Sequence, residues 1–185
     1  MTNGSGTLGR LINKIDAVTE FVGRSISWLT LVMMIVMFAV VILRYLFNSG
    51  SIAMQESVMY LHATVFMMAA GYTLKHDGHV RVDIFYREMS PQRKAMVDFF
   101  GSIFLLIPVM IFMGMMSWQY VMNSWHVMES SPEAGGIPGV YLLKTLIIAM
   151  VALMLLQAIA EALRNFLLLM GKGSSVEHHV NEEKV

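Results

Sequence analysis

Apolar residues first fall on a helical stripe. Leu8, Leu11, Ile12, Ile15, Val18 and Val22 recur at i, i+3, i+4 and i+7, with Arg10, Asn13, Lys14 and Glu20 elsewhere around the same turns. Such an amphipathic helix lies in a membrane interface or docks on other helices, and the two placements are compatible. The stripe then gives way to continuous apolar runs. Ser25 to Leu43 is 19 residues without a charge and continues through Tyr45 to Phe47. Ser57 to Leu74 is 18 residues without a formal charge, though it contains His62. Phe99 to Trp125 is 27 uncharged residues, and a last run extends from about Val140 to Leu163 around an uncharged centre, Thr145 to Ala160. A spanning helix needs roughly 20 apolar residues, so the pattern predicts four crossings.

Polar connectors punctuate the runs. Asn48-Ser49-Gly50-Ser51 is a turn signal, and no small-x-small cleavage site follows the first run, which therefore reads as an uncleaved span. Gly71 to Asp98 is a basic stretch whose Ser90-Pro91 pair marks a helix start, with serine at the N-cap and proline in the first turn. Pro108 falls inside the third run and cannot donate to the carbonyl of Phe104, which predicts a kink near there. Glu129 to Gly139, ESSPEAGGIPG, is the clearest loop, and the segment after Met170 is polar. The expected fold is an all-α integral membrane protein, a four-transmembrane-helix bundle with an N-terminal amphipathic interfacial helix. Its parts would be a tail and interfacial helix over 1–24, a membrane domain over 25–170 and a polar tail over 171–185. The spans are placed at about 25–47, 57–75, 95–125 and 140–165.

Composition agrees. Of 185 residues 56% are hydrophobic and 14% charged, where a soluble domain would carry about a quarter charged. The net charge is zero, which argues against a nucleic-acid partner. There is no cysteine, so disulfides, thiolate metal sites and cysteine nucleophiles are excluded. Charge also orients the helices. With four crossings both termini and the basic connector share one side, and that side carries eleven of the thirteen Lys and Arg residues. Only Arg44 and Lys144 lie on the other. Positive charge marks the cytoplasmic side, so both termini are expected there. Tyr45, Trp118, Tyr120, Trp125 and Tyr141 would gather at the outer interface.

Candidate chemistry is sparse. Arg44, Glu56, Glu129 and Lys144 fall near the outer ends of the runs, where Arg44 can pair with Glu56 and Lys144 with either glutamate. The plainer reading is interfacial snorkelling. No acid or base except His62 approaches mid-span, whereas a self-sufficient coupled carrier or exporter needs ionisable groups or broken helices there. His62 and His126 raise the alternative of a small four-helix membrane cytochrome or electron-transfer subunit. The 19 methionines admit a copper(I) path but suit gap-filling between helices better. No nucleophile–base pair, phosphate loop or catalytic carboxylate pair is recognisable, and the reading is a non-enzyme without cofactor or metal. Ala63, Ala70, Gly101 and Ala152 are small enough to mark interhelical contacts.

A set of short motifs in fixed order completes the picture. Arg44-Tyr45 and Phe47-Asn48 close the first run, and Ser51-Ile52-Ala53-Met54-Gln55-Glu56 opens the second. Gly71-Tyr72 and Gly78-His79-Val80-Arg81-Val82-Asp83 follow, then Glu129-Ser130-Ser131-Pro132, Gly136-Ile137-Pro138 and Tyr141-Leu142-Leu143-Lys144. From Arg44 to roughly Arg164 the chain resembles the small membrane subunit of tripartite ATP-independent periplasmic (TRAP) transporters, the DctQ-like family. It departs from the family's pattern at Met54, where tryptophan is common, and at Ser57, where a second acid is common. The resemblance implies an accessory subunit in a bacterial inner membrane, surrounded by lipids. Its partners would be a large DctM-like permease and a periplasmic DctP-like binding protein, in ion-coupled uptake of an organic acid such as a carboxylate. Arg44, Glu56, His79, Arg81, Asp83, Glu129 and Lys144 are the candidate interface or structural residues. Within the basic stretch, Val80, Val82 and Ile84 alternate with Arg81 and Asp83, which favours an ordered cytoplasmic segment over a solvated linker.

Overall fold

The computed structural model of the chain describes residues 3–79 and 86–171, and what it describes is helical. Helix α1 is Asn3–Leu46, α2 is Ile52–Lys75, α3 is Pro91–His126 and α4 is Val140–Leu169. Three helices are long and apolar enough to cross a membrane: Gly6–Leu46, Pro91–His126 and Val140–Leu169. The fourth, α2, has 24 residues, so it is about 36 Å long, but its apolar run is interrupted by His62 and preceded by Gln55 and Glu56.

The amphipathic stripe and the first apolar run are a single helix of 44 residues. A separate element ending at residue 24 had been expected, but nothing between Phe21 and Ser27 breaks a helix, and one glycine costs only about 1 kcal/mol. A helix of this length extends about 66 Å, twice a hydrocarbon core of about 30 Å. Its N-terminal half is docked. Ile12 and Ile15 bury against Ala160 and Leu167 of α4, with Leu8 and Leu163 at the margin.

Helix α4 is the centre of the assembly, since α1, α2 and α3 all pack on it. Helix α1 also packs on α2, while α3 joins the others chiefly through α4. A helix contacted from several sides must be buried around much of its circumference. Val151, Met154, Gln157, Ala158, Ala160, Ala162, Asn165 and Leu167 are all buried. The alanines let neighbouring backbones come close. Of the small residues proposed as contact markers, Gly101 has open space around it and Ala152 is exposed. The close approaches instead fall at Gly23, where a Cβ would run into the Tyr72 ring of α2, and at Gly114, where it would lie 3.2 Å from Val151 Cγ1; at Gly71 it would lie 3.4 Å from the Leu153 carbonyl oxygen.

Pro108 is accommodated by a π-helical turn, Ser102–Leu106, one residue upstream. There the N–H of Ile107 donates to the Ser102 carbonyl, an i to i−5 bond. The wider turn relieves the clash that proline would make with the preceding α-helical turn. Helix α3 begins at Pro91, with Ser90 extended at the N-cap but without a side-chain capping bond.

Each of the four helices is followed by a left-handed residue, Asn48 (φ 47°) after α1 and Gly171 (φ 69°) after α4 among them, and two of these ends share one bonding pattern. After α2, Asp77 (φ 53°) lets Gly78 N–H reach the Thr73 carbonyl. After α3, Met128 (φ 46°) lets Glu129 N–H reach the Ser124 carbonyl. These are Schellman closures, in which glycine is the usual left-handed residue. The outward faces of α1 and α3 remain apolar and open, with Trp28, Phe38, Leu105 and Phe112 all more than 60% exposed.

Candidate functional site

The connectors at one end of the helices, Phe47–Ser51 and Val127–Gly139, define a turn end. The opposite end, where α1 and α3 begin and α2 and α4 finish, is the terminal end. Charged side chains collect at both.

At the turn end the loop Glu129–Gly139 has no helix or strand to satisfy its backbone, so its donors need other acceptors. Glu56, at the start of the second turn of α2, supplies them. One carboxylate oxygen accepts from the Ser131 hydroxyl, and the other accepts from the Ile137 N–H at 2.6 Å. The loop closes on itself through Ser131 N–H to the Ile137 carbonyl at 3.3 Å. Gly136 completes the cradle, because a Cβ there would meet Ser131 Oγ and sit 2.7 Å from Glu56 Oε1. The Ser131 hydroxyl, with the Ile137 N–H, holds the Glu56 carboxyl below its ordinary range. Two donors that favour the charged form are a sufficient cause.

The second half of this end is an ion pair. Lys144 Nζ donates to Glu129 Oε2 at 2.5 Å and stands 4.0 Å from the centroid of the Tyr120 ring. The lysine ammonium lowers the Glu129 pKa. Trp125 adds a donor bond from Nε1 to Thr145 Oγ1 at 2.8 Å and an edge contact with Tyr141, centroids 4.7 Å apart. Of the aromatic residues expected at one interface, Tyr120, Trp125 and Tyr141 thus brace the junction of α3 and α4, while Tyr45 and Trp118 are exposed.

The expected pairing of Arg44 with Glu56 is not formed. Both Glu56 oxygens are occupied by the loop, and Arg44 is exposed and makes no ion pair among the described residues. His79 lies exposed in a bend beyond α2, and Arg81 and Asp83, with the alternating segment around them, lie outside the described residues. His62 stacks near Phe66, centroids 6.4 Å apart, beside α1, while His126 ends α3, whose main neighbour is α4.

The terminal end carries a network that the sequence reading did not identify. Arg164 donates to Asp16 Oδ2 at 2.7 Å and to Glu161 Oε2 at 2.5 Å. Gln157 donates to Asp16 Oδ1 at 3.1 Å and accepts from the Thr19 hydroxyl at 2.9 Å. Asn165 donates to Glu161 Oε1 at 3.0 Å. One turn further along α1, Glu20 receives Arg24 at 2.7 Å, Lys75 at 2.8 Å and the His76 ring at 3.0 Å. Three helices are therefore joined by charge at this end. The signal was present in α4, where Gln157, Glu161 and Arg164 keep i, i+4, i+7 spacing in an otherwise apolar helix.

What emerges is a membrane protein whose ionisable groups fasten helix ends and loops, with apolar helix between. Comparison with protein families matches residues 33–168 to the family of tripartite ATP-independent periplasmic transporters, DctQ component. The chain belongs to that family and is thus a small subunit of a TRAP transporter, in a family of transport components rather than enzymes. The family works with DctM and DctP components. Searches among curated proteins and among solved structures gave no match.

Proposed function

We propose that this chain is a static accessory subunit that widens and anchors the scaffold of a large DctM-like permease in a bacterial inner membrane. In this reading α2 is a fourth crossing, both termini are cytoplasmic, and the turn end faces the periplasm, where the DctP-like binding protein delivers an organic acid such as a carboxylate. The permease carries the substrate and coupling-ion sites. One observation supports this division of labour above the others: Asp, Glu, Lys and Arg are absent from 25–43, 57–74, 99–128 and 145–160. Those stretches form the middle of the four helices, and a carrier that couples ions to substrate needs charged or broken-helix sites there. The docked N-terminal half of α1 acts as a lateral brace on the cytoplasmic side.

The test is reconstitution. Purified alone in proteoliposomes, the chain should move no organic acid under an imposed ion gradient. Co-expressed with the multi-span permease it should co-purify with it, and uptake should appear only when permease and binding protein are both added. Uptake by the chain alone would overturn the proposal, as would full activity of the permease without it.

A further inference from the structure

A groove of about 710 Å³ runs between α1 and α2 in their turn-end halves. Met34, Met37 and Val41 line it from α1, and Val58, Met59 and His62 from α2, with Gln55 near its mouth. Its volume is in the range that holds a ligand-sized molecule. Flexible thioethers give it walls that adapt to a mobile chain.

Charge at its mouth indicates the occupant. Sequence places only two cations at the turn end, Arg44 and Lys144. Lys144 is already engaged by Glu129 and the Tyr120 ring. Arg44 is exposed and has no ion pair among the described residues. It also stands on the groove's own face, since Arg44, Val41, Met37 and Met34 step along α1 by three, four and three residues. The depth fits as well. From Arg44 to Met33, the deepest α1 residue of the groove, the helix rises about 16 Å, close to half of a hydrocarbon core of about 30 Å. An apolar groove one leaflet deep, headed by a guanidinium, matches one acyl chain beneath one phosphate. Guanidinium binds phosphate with two parallel donors, and basic sites between membrane helices recognise lipid headgroups.

We propose that the α1/α2 groove is a binding site for an anionic phospholipid of the turn-end leaflet, with its phosphate on Arg44 and an acyl chain along the methionines. Gln55 offers amide donors to the same headgroup. The site goes beyond the subunit role and does not depend on it, because its test uses the chain without partners.

The absence of cysteine makes a single label straightforward. A bimane on Phe38→Cys, at the open rim of the groove, is compared with one on Phe112→Cys, 62% exposed on α3. Each full-length protein is reconstituted in phosphatidylcholine vesicles titrated with brominated phosphatidylglycerol or brominated phosphatidylcholine. At position 38, half-maximal quenching by the brominated phosphatidylglycerol should need at least about fivefold less lipid than by the phosphatidylcholine, a difference of about 1 kcal/mol. At position 112 the two lipids should quench alike. Arg44→Gln should erase the preference at position 38, and Arg44→Lys should retain a large part of it. Equal quenching by both lipids at both positions would overturn the proposal, as would a preference that survives Arg44→Gln. A rim that no brominated lipid quenches would likewise overturn it and assign the groove to a protein helix.

Discussion

At the turn end, Glu56 ties the α3–α4 loop to α2, and Glu129 ties it to α4. At the terminal end, Asp16, Glu20, Lys75, Glu161 and Arg164 tie α1, α2 and α4 to one another. The partners differ in kind. Glu56 accepts from a serine hydroxyl and a backbone N–H, and Lys144 reaches Glu129 across only 15 residues of chain. Arg164 reaches Asp16 across 148 residues and is 16% exposed, as is the Glu161 side chain beside it. A carboxylate that satisfies a loop orders about ten residues, and its loss is local. A half-buried cation between two carboxylates compensates charges on two helices, and its loss strands both.

The largest effect should therefore come from Arg164→Ala, which leaves Glu161 and Asp16 without their shared cation. Thermal unfolding of the protein in detergent should show a loss of about 3 kcal/mol. The pair Arg164→Met with Glu161→Leu should lose clearly less, because the uncompensated half-buried acid goes with its partner. Equal losses would mean that the network contributes packing rather than charge.

Gly136→Ala comes next. Its Cβ would land against Ser131 Oγ and Glu56 Oε1, so one of those contacts must give way, at about 1–2 kcal/mol. Proteolysis should then cut Glu129–Gly139 faster while α1 and α4 keep their protection. Protection lost equally at both ends would remove the distinction between a local and a global fastening.

Met128→Gly acts in the opposite direction. An L side chain at φ 46° costs about 1–2 kcal/mol in the left-handed region, and glycine does not bear that cost. Greater flexibility of the unfolded chain offsets part of the gain, so unfolding should shift up by about 0.5–1 kcal/mol.

The smallest effect is that of pH on the loop. Glu56 and Glu129 both have lowered pKa values in the folded protein, by the Ser131 hydroxyl and the Lys144 ammonium respectively. Such groups bind fewer protons folded than unfolded, so their contribution is full above the ordinary glutamate value of about 4.3. It is lost as the pH falls through the lower folded values. Protease resistance of the loop should be flat from pH 8 to about 5 and decline below about 4.3. A decline already at pH 6 would point to another titrating group.

Much of this was legible in the residues. Uncharged runs located the helices, Ser90-Pro91 marked the start of α3, and Glu129-Ser130-Ser131-Pro132 with Gly136-Ile137-Pro138 carried the family resemblance. Lys144 was within reach of either glutamate, and it is Glu129 that it meets. The partner of Glu56 was misjudged because charge attracts attention to charge: Arg44 is near in sequence, but a loop without secondary structure has donors that need an acceptor. The terminal-end network was missed for a related reason. Asp16 and Glu20 on an amphipathic helix look like a solvated face, and Lys75 and Arg164 look like the charges that orient a membrane protein.

The sequence by itself determined which segments are helical and that three of them are long and apolar enough to cross a membrane, because hydropathy and its period are local properties of a chain. It also determined where charge is absent, in the stretches 25–43, 57–74, 99–128 and 145–160. Tertiary structure decided which charges meet, that α4 is central, and that α1 continues unbroken into its docked N-terminal half. Those outcomes depend on helix rotation and on residues more than a hundred positions apart. No window of sequence contains both partners of such a contact.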